Sequence, residues 1–246
     1  MKPAPPEKTA PAHIALTFDD AVSNHATFVG PLLARYGFGA TFYITEFAGE
    51  GGDRFDLDKR QYMDWQQIAG LHAMGFEIGN HTGHHPGLSA LDTSRILAEI
   101  EIIEQRCEAQ GLPRPLTFAY PGGNESIVAC ELLKQKGYLG ARGCRKSPYH
   151  ASEDSVWSIP SFVITQETEG LFDEALALAV QGESIVFTFH GVPDCNHPWV
   201  TTLPETFQRM MEALHQTGLP VVSLKALIGS LQEPPLSGGF TENSTF

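Results

Sequence analysis

Ten histidines are spread through the 246 residues, so a histidine pair alone signals little and placement decides. Two aspartates, Asp19 and Asp20, close the run IALTFDD, and two histidines, His81 and His85, stand four apart in GNHTGHH. On a helical turn that spacing puts both imidazoles on one face. With a carboxylate from Asp19 or Asp20 they make a His2Asp set. Such a set gives three nitrogen or oxygen ligands and leaves a position for water, as a catalytic divalent cation requires. An aspartate pair and a histidine pair after separate strand-like runs are a stronger signal than H-x-x-x-H by itself. Further polar groups stand at comparable places: Tyr120-Pro121-Gly122-Gly123 after LTFA, Arg142 at the end of YLGAR, and His190 after IVFTF.

These residues need a scaffold, and the chain has the rhythm of one. Gly37, Gly75, Gly111, Gly137, Gly182 and Gly218 each stand between an apolar-periodic segment and a strand-like run. Glycine just past a helix takes the left-handed cap conformation without a Cβ penalty. Repeated helix, glycine and strand predict a wound α/β architecture. Strands are expected near Ile14–Phe18, Thr41–Thr45, Glu77–Asn80, Leu116–Tyr120, Tyr138–Ala141, Ser161–Ile164, Ile185–Phe189 and Val221–Leu224. Several are continuously apolar, as strands buried on both faces are. Asp64-x-x-Gln67 and Ser89-x-x-Asp92 open two of the helices, with Ser23 and Asn124 as further caps. Every polar group named above falls at the C-terminal end of an expected strand, where the loops of an α/β barrel converge on its active site.

Composition narrows the partners. Hydrophobic residues make up 42% and charged residues 18%, enough apolar content for one large domain and too much for a disordered or coiled-coil chain. A net charge of −13 disfavours nucleic acid and anionic membrane as partners, because phosphates would repel the surface. No apolar run is long enough to insert in a membrane. The four cysteines contain no C-x-x-C pair, so neither a zinc ribbon nor a thioredoxin-type motif is present. No protein partner is evident. The start of the chain lacks the apolar stretch of a secretory signal, which fits a cytoplasmic protein or a secreted one with its signal removed. Residues 13–230 are expected to form one catalytic domain, with mobile tails at 1–12 and 231–246.

The motifs resemble those of the polysaccharide deacetylase family, carbohydrate esterase family four, which shares the NodB homology domain. Its T-F-D-D-G motif appears as Thr17-Phe18-Asp19-Asp20-Ala21, its H-[S/T]-x-x-H motif as His81-Thr82-Gly83-His84-His85, and its late strand ending in histidine as IVFTFH, ending at His190. The resemblance spans Ile14 to Leu227. It implies a distorted barrel of about seven βα units. It implies a divalent metal, usually zinc with cobalt or nickel able to substitute, held by Asp20, His81 and His85. It makes Asp19 the general base and His190 the general acid, and leaves His84 as a loop residue or one standing behind the ligands. The implied reaction removes an acetyl group from a carbohydrate, N-acetyl favoured over O-acetyl. The oxyanion would meet a backbone N–H after the fourth strand, in the Tyr120-Pro121-Gly122 stretch and most simply that of Gly122.

The sequence also departs from the family pattern. Ala21 replaces a glycine. The third motif, R-x-P-[Y/F], reads Ala119-Tyr120-Pro121-Gly122, so the arginine that orients the base is missing. Arg142, on the neighbouring strand, is the candidate replacement. The fourth motif has no clear counterpart, and Asp154 is the stand-in for its aspartate. After His190, Trp199 is a candidate for stacking on a sugar ring, whereas Asp194 reads as a turn residue and His197 as a solvated loop residue. The missing arginine keeps open an amidohydrolase of the wider superfamily acting on a small non-sugar amide, cyclic imide or ureide. A carbohydrate-binding protein without turnover is the third reading, which would need neither the base nor the acid.

Overall fold

A computed structural model describes residues 12–47 and 61–232. The expected mobile tails lie outside the described residues, apart from Ala12 and the last residues of the final helix. That helix runs to Gln232, so residues 231 and 232 belong to the folded body.

Among the described residues eight parallel strands form one curled sheet: β1 (Ile14–Phe18), β2 (Thr41–Ile44), β3 (Glu77–Asn80), β4 (Thr117–Ala119), β5 (Gly140–Arg142), β6 (Phe162–Val163), β7 (Ile185–Phe189) and β8 (Val221–Val222). The order is β5-β4-β3-β2-β1-β7-β6, with β8 beside the start of β1. One segment brings the ends of the sheet together: Ile159 bridges Arg142, and β6 directly after it pairs with β7. The result is the distorted parallel barrel expected from the sequence. Helices α1 (Gly30–Tyr36), α2 (Trp65–Ala73), α3 (Thr93–Ala109), α4 (Ile127–Gln135), α5 (Gly170–Val180), α6 (Pro204–Thr217) and α7 (Leu224–Gln232) complete the fold. Among the described residues no helix is long and apolar enough to cross a membrane.

Register decides what meets at the rim. β1 pairs with β7 along its whole length, from Ile14 opposite Ile185 to Phe18 opposite Phe189, so Asp19 and His190 emerge side by side. Ile44 faces Asn80, Asn80 faces Phe118, and Ala119 faces Arg142. Parallel strands in near-level register therefore carry Asp19, His81, Tyr120, Arg142 and His190 to one end of the barrel.

Alternation along each strand sorts the rest. Ala15, Tyr43, Ala119 and Val186 cluster with Leu224, Leu227 and Ile228 of α7, which closes the opposite end. There Glu77 accepts hydrogen bonds from Thr41, Thr117 and the Lys225 N–H, which caps the first turn of α7. On the outer face Phe18 stacks on Phe42 and Phe189, and Phe18 and Phe189 meet the ring of Phe207 on α6. Truncating a ring such as Phe18 to alanine would cost about 3–5 kcal/mol.

Three helix starts differ from expectation. The capping box of Asp64 and Gln67 is present. Helix α3, however, is capped by Asp92, whose carboxylate accepts the Arg95 N–H, and Ser89 lies in a preceding 3-10 turn. Ser126, not Asn124, caps α4, because the chain first spends a turn at Pro121–Gly123. Ser23 precedes a π-helical turn, His25–Val29, without capping it.

Candidate active site

The first strand end splits its two aspartates. Asp20 and Ala21 both hold the left-handed conformation, at φ 74° and 52°, which turns Asp20 away from Asp19. The family's glycine at the Ala21 position has a physical reason, since glycine adopts this backbone without a Cβ penalty. The other non-glycine residues with positive φ among those described are Phe47, Thr82 and His85, and all five lie at this rim. Such clustering of backbone strain is typical of functional sites.

Asp19 is 4% exposed and meets Arg142, which is fully buried: one guanidinium nitrogen, Nη2, donates to both carboxylate oxygens, at 2.7 and 2.5 Å. Burial alone would raise the Asp19 pKa. Arg142, then His81 and His190, outweigh it and hold the carboxyl at about 2. The same pairing keeps Arg142 charged against the cost of its own burial.

Asp20 faces the histidines. Its Oδ1 lies 3.6 Å from His81 Nε2 and 3.7 Å from His85 Nε2, and its Oδ2 lies 3.9 Å from His190 Nε2. His81 Nδ1 is 2.8 Å from the Ala119 carbonyl, which can only accept, so Nδ1 carries the proton and Nε2 the lone pair. Burial lowers the pKa of His81 to about 4 and of His85 to about 3, which makes both neutral imidazoles near pH 7. Neutral imidazole is the metal-binding form. Ligand atoms of Asp20, His81 and His85 lie within 4.8 Å of one another, so the donor set fits a divalent cation. Asp20 forms a second such group with Asp194 and His197. Asp194, though, is engaged by the backbone N–H groups of Gly191, Asn196 and His197.

His190 closes the other side of the cleft. Its pKa is lowered because burial outweighs the nearby Asp19 and Asp194 carboxylates. Two residues that sequence reasoning missed hold this strand end. His25 Nε2 donates to the His190 carbonyl at 3.0 Å, and Asn24 holds the Val192 N–H and the Pro193 carbonyl at 3.0 and 2.6 Å. Nothing in the sequence separates them from ordinary residues at the start of a helix.

A cleft of about 390 Å³ opens on this cluster, lined among others by Asp19, Asp20, His81, His85, Gly122 and His190. Gly122, at φ 60°, belongs to it, and its N–H takes part in none of the backbone hydrogen bonds that hold this turn. Tyr120 and Pro121, expected with it as oxyanion or substrate residues, do not line the cleft. Alternation sends Phe118 and Tyr120 outward into the core beneath α3 and α4, where the Tyr120 hydroxyl donates to the Trp157 carbonyl. Pro121 is buried beside it.

Trp199 stands on the cleft wall, 58% exposed, with its ring 5.3 Å from that of His197. His197 is buried rather than solvated, and Asp194, also buried, organises its loop. Asp154 does not replace the fourth-motif aspartate. It pairs with Arg145 and the His150 N–H and is not among the residues lining the cleft. His84 turns away from His81 and His85 to Glu99.

The polysaccharide deacetylase family model matches residues 7–141, more than half of the chain, and the chain belongs to that family of carbohydrate-deacetylating hydrolases. Arg142 and His190 lie beyond the matched stretch. No curated protein sequence matches significantly. Among solved structures, a polysaccharide deacetylase-like protein from Mycobacterium smegmatis aligns at 14% identity and TM-score 0.65, covering 93% of this chain and 92% of that one. The chitin deacetylase of Colletotrichum lindemuthianum aligns at 19% identity and TM-score 0.64, covering 92% and 90%. The deacetylase PplD of Streptococcus pyogenes aligns at 18% identity and TM-score 0.51, covering 59% of this chain and 62%, less than two thirds, of that one. At these identities the likeness is one of fold.

Proposed function

We propose that the chain hydrolyses acetyl groups on a carbohydrate, preferentially the N-acetyl group of an amino sugar, with a divalent cation held by Asp20, His81 and His85. The observation that carries this reading is the placement of Asp20 within 3.9 Å of three imidazole nitrogens, those of His81, His85 and His190, with Asp19 and its arginine alongside. The cation, zinc or a substitute such as cobalt or nickel, would supply a Lewis acid for the acetyl carbonyl and acidify the attacking water.

The chain's own groups do the rest. Asp19, held ionised by Arg142, accepts the proton of the attacking water. A carboxyl with a pKa near 2 does not retain that proton, and passes it on. His190, neutral at rest because of its burial, receives it and delivers it to the leaving nitrogen. An amide needs that protonation, since its nitrogen leaves poorly as an anion. The Gly122 N–H donates to the oxyanion. Trp199 offers an aromatic face to a sugar ring at the mouth of the cleft. The small-substrate alternative rested on the missing third-motif arginine, and Arg142 supplies that charge from the next strand.

The test is acetate release from acetylated chito-oligosaccharides, acetylated xylan and peptidoglycan fragments, each after chelation and after zinc or cobalt is restored. Metal-restored release from at least one supports the reading. Bound metal with no release from any would overturn it.

A further inference from the structure

Helix α3 buries the face Ile96, Glu99, Ile100, Ile103 and Cys107. Four of these are apolar. Glu99 is a carboxylate at the same depth, only 1% exposed, where a buried charge is costly unless it is hydrogen-bonded. Its partners lie in the loop that carries the two histidine ligands. One oxygen, Oε2, accepts the His84 N–H at 2.8 Å, the other lies 2.9 Å from His84 Nδ1, and the Glu99 carbonyl accepts the Gly83 N–H at 2.9 Å. Arg95, one turn earlier, balances part of the charge at 3.4 Å.

The loop needs holding. Thr82 and His85 both take the left-handed conformation, at φ 68° and 54°, which persists only where the surrounding structure enforces it. Gly83, between them, lies so close to α3 that a Cβ there would come within 2.6 Å of Ile102. Asn80, just before the loop, is tied to the same helix through the Ile100 carbonyl. The sequence H-T-G-H-H thus contains a third histidine whose ring faces away from the other two and is fastened to α3.

We infer that Glu99, acting through His84, is a positioning residue that fixes His81 and His85 in their ligand geometry. Glu99 is not itself a ligand; it sets the conformation of the residues between the two ligands. The inference rests on the reading of Asp20, His81 and His85 as a cation site.

Co2+ uptake tests it on the chelated full chain, by titration against a competing chromophoric chelator with the visible d–d bands recorded. Glu99→Gln and His84→Ala are each expected to weaken Co2+ binding roughly 10- to 100-fold and to shift the bands, with far-ultraviolet circular dichroism unchanged. The double variant should be no weaker than the worse single, because both act through one contact. Wild-type affinity and spectrum in both variants would overturn the inference alone. If Glu99→Gln does not fold, His84→Ala decides, since its side chain is near the surface. A wild-type chain that takes up no Co2+ overturns the cation reading, and the inference with it.

Discussion

Arg142 stands directly opposite Ala119 in the register of β4 and β5, and its guanidinium donates to both oxygens of Asp19. Ala119 is the position at which the family motif carries its arginine. Both side chains point into the barrel, so the small alanine leaves room for a guanidinium entering from the neighbouring strand. The charge beside Asp19 has moved across one strand pair without changing its level on the rim.

Arg142→Ala should leave Asp19 buried without its counter-charge. Turnover is expected to fall by roughly 10²-fold or more, and stability by about 3–5 kcal/mol. Restoring the arginine on the other strand, as Ala119→Arg with Arg142→Ala, should recover part of both. Steady-state rates and thermal melts of the single and double variants check this. Near-normal turnover in the single variant would contradict the assignment.

Asp19→Asn should keep the bound metal and lose turnover by roughly 10²–10⁴-fold. Metal content per chain, measured beside the rate, separates a lost base from a lost ligand. A variant that loses its metal would place Asp19 among the ligands instead.

His190→Ala should harm amide substrates more than activated esters, whose leaving groups depart without a proton. Rates on an N-acetyl sugar and on an aryl acetate make the comparison. Equal losses on both would remove His190 from the acid role.

Stability of the chelated protein should depend on pH through its buried histidines. The pKa values of His25 and His81 are lowered from 6.5 to about 4, and that of His85 to about 3. As pH falls below 6.5 the unfolded chain takes up protons that the folded chain refuses, so stability present above 6.5 is lost toward pH 4. Asp19 acts lower: its contribution is full above 3.8 and is lost as pH falls toward 2. Thermal melts between pH 8 and pH 4 should show the decline, with His25→Gln giving a shallower slope. A flat profile would mean that these rings are not buried neutral.

Much of this site is visible in the sequence because its signals are local. Strands β1, β3 and β7 run over the expected residues, and His81 and His85 sit in one short motif. Tyr120 is the exception, expected at the cleft but turned to the helices, because with Ala119 facing inward alternation along β4 sends the next residue outward. What sequence did not yield depends on non-local register or on disguise. Arg142 is a candidate partner of Asp19 from its strand end alone, but no local pattern gives its level opposite Ala119. Glu99 occupies an apolar stripe of α3 and reads as core until His84 is seen, and His25, between Asn24 and Ala26, reads as an ordinary residue at a helix start.

Asp20, His81 and His85 are proposed to hold a cation on which hydrolysis depends. The most direct measurement is acetate release from an acetylated chito-oligosaccharide by chelated and by Zn2+-restored protein, with His81→Ala alongside. Activity should disappear on chelation, return with the metal in the wild type, and stay absent in His81→Ala together with the metal. Full activity in the chelated protein, or in a metal-free His81→Ala, would contradict it.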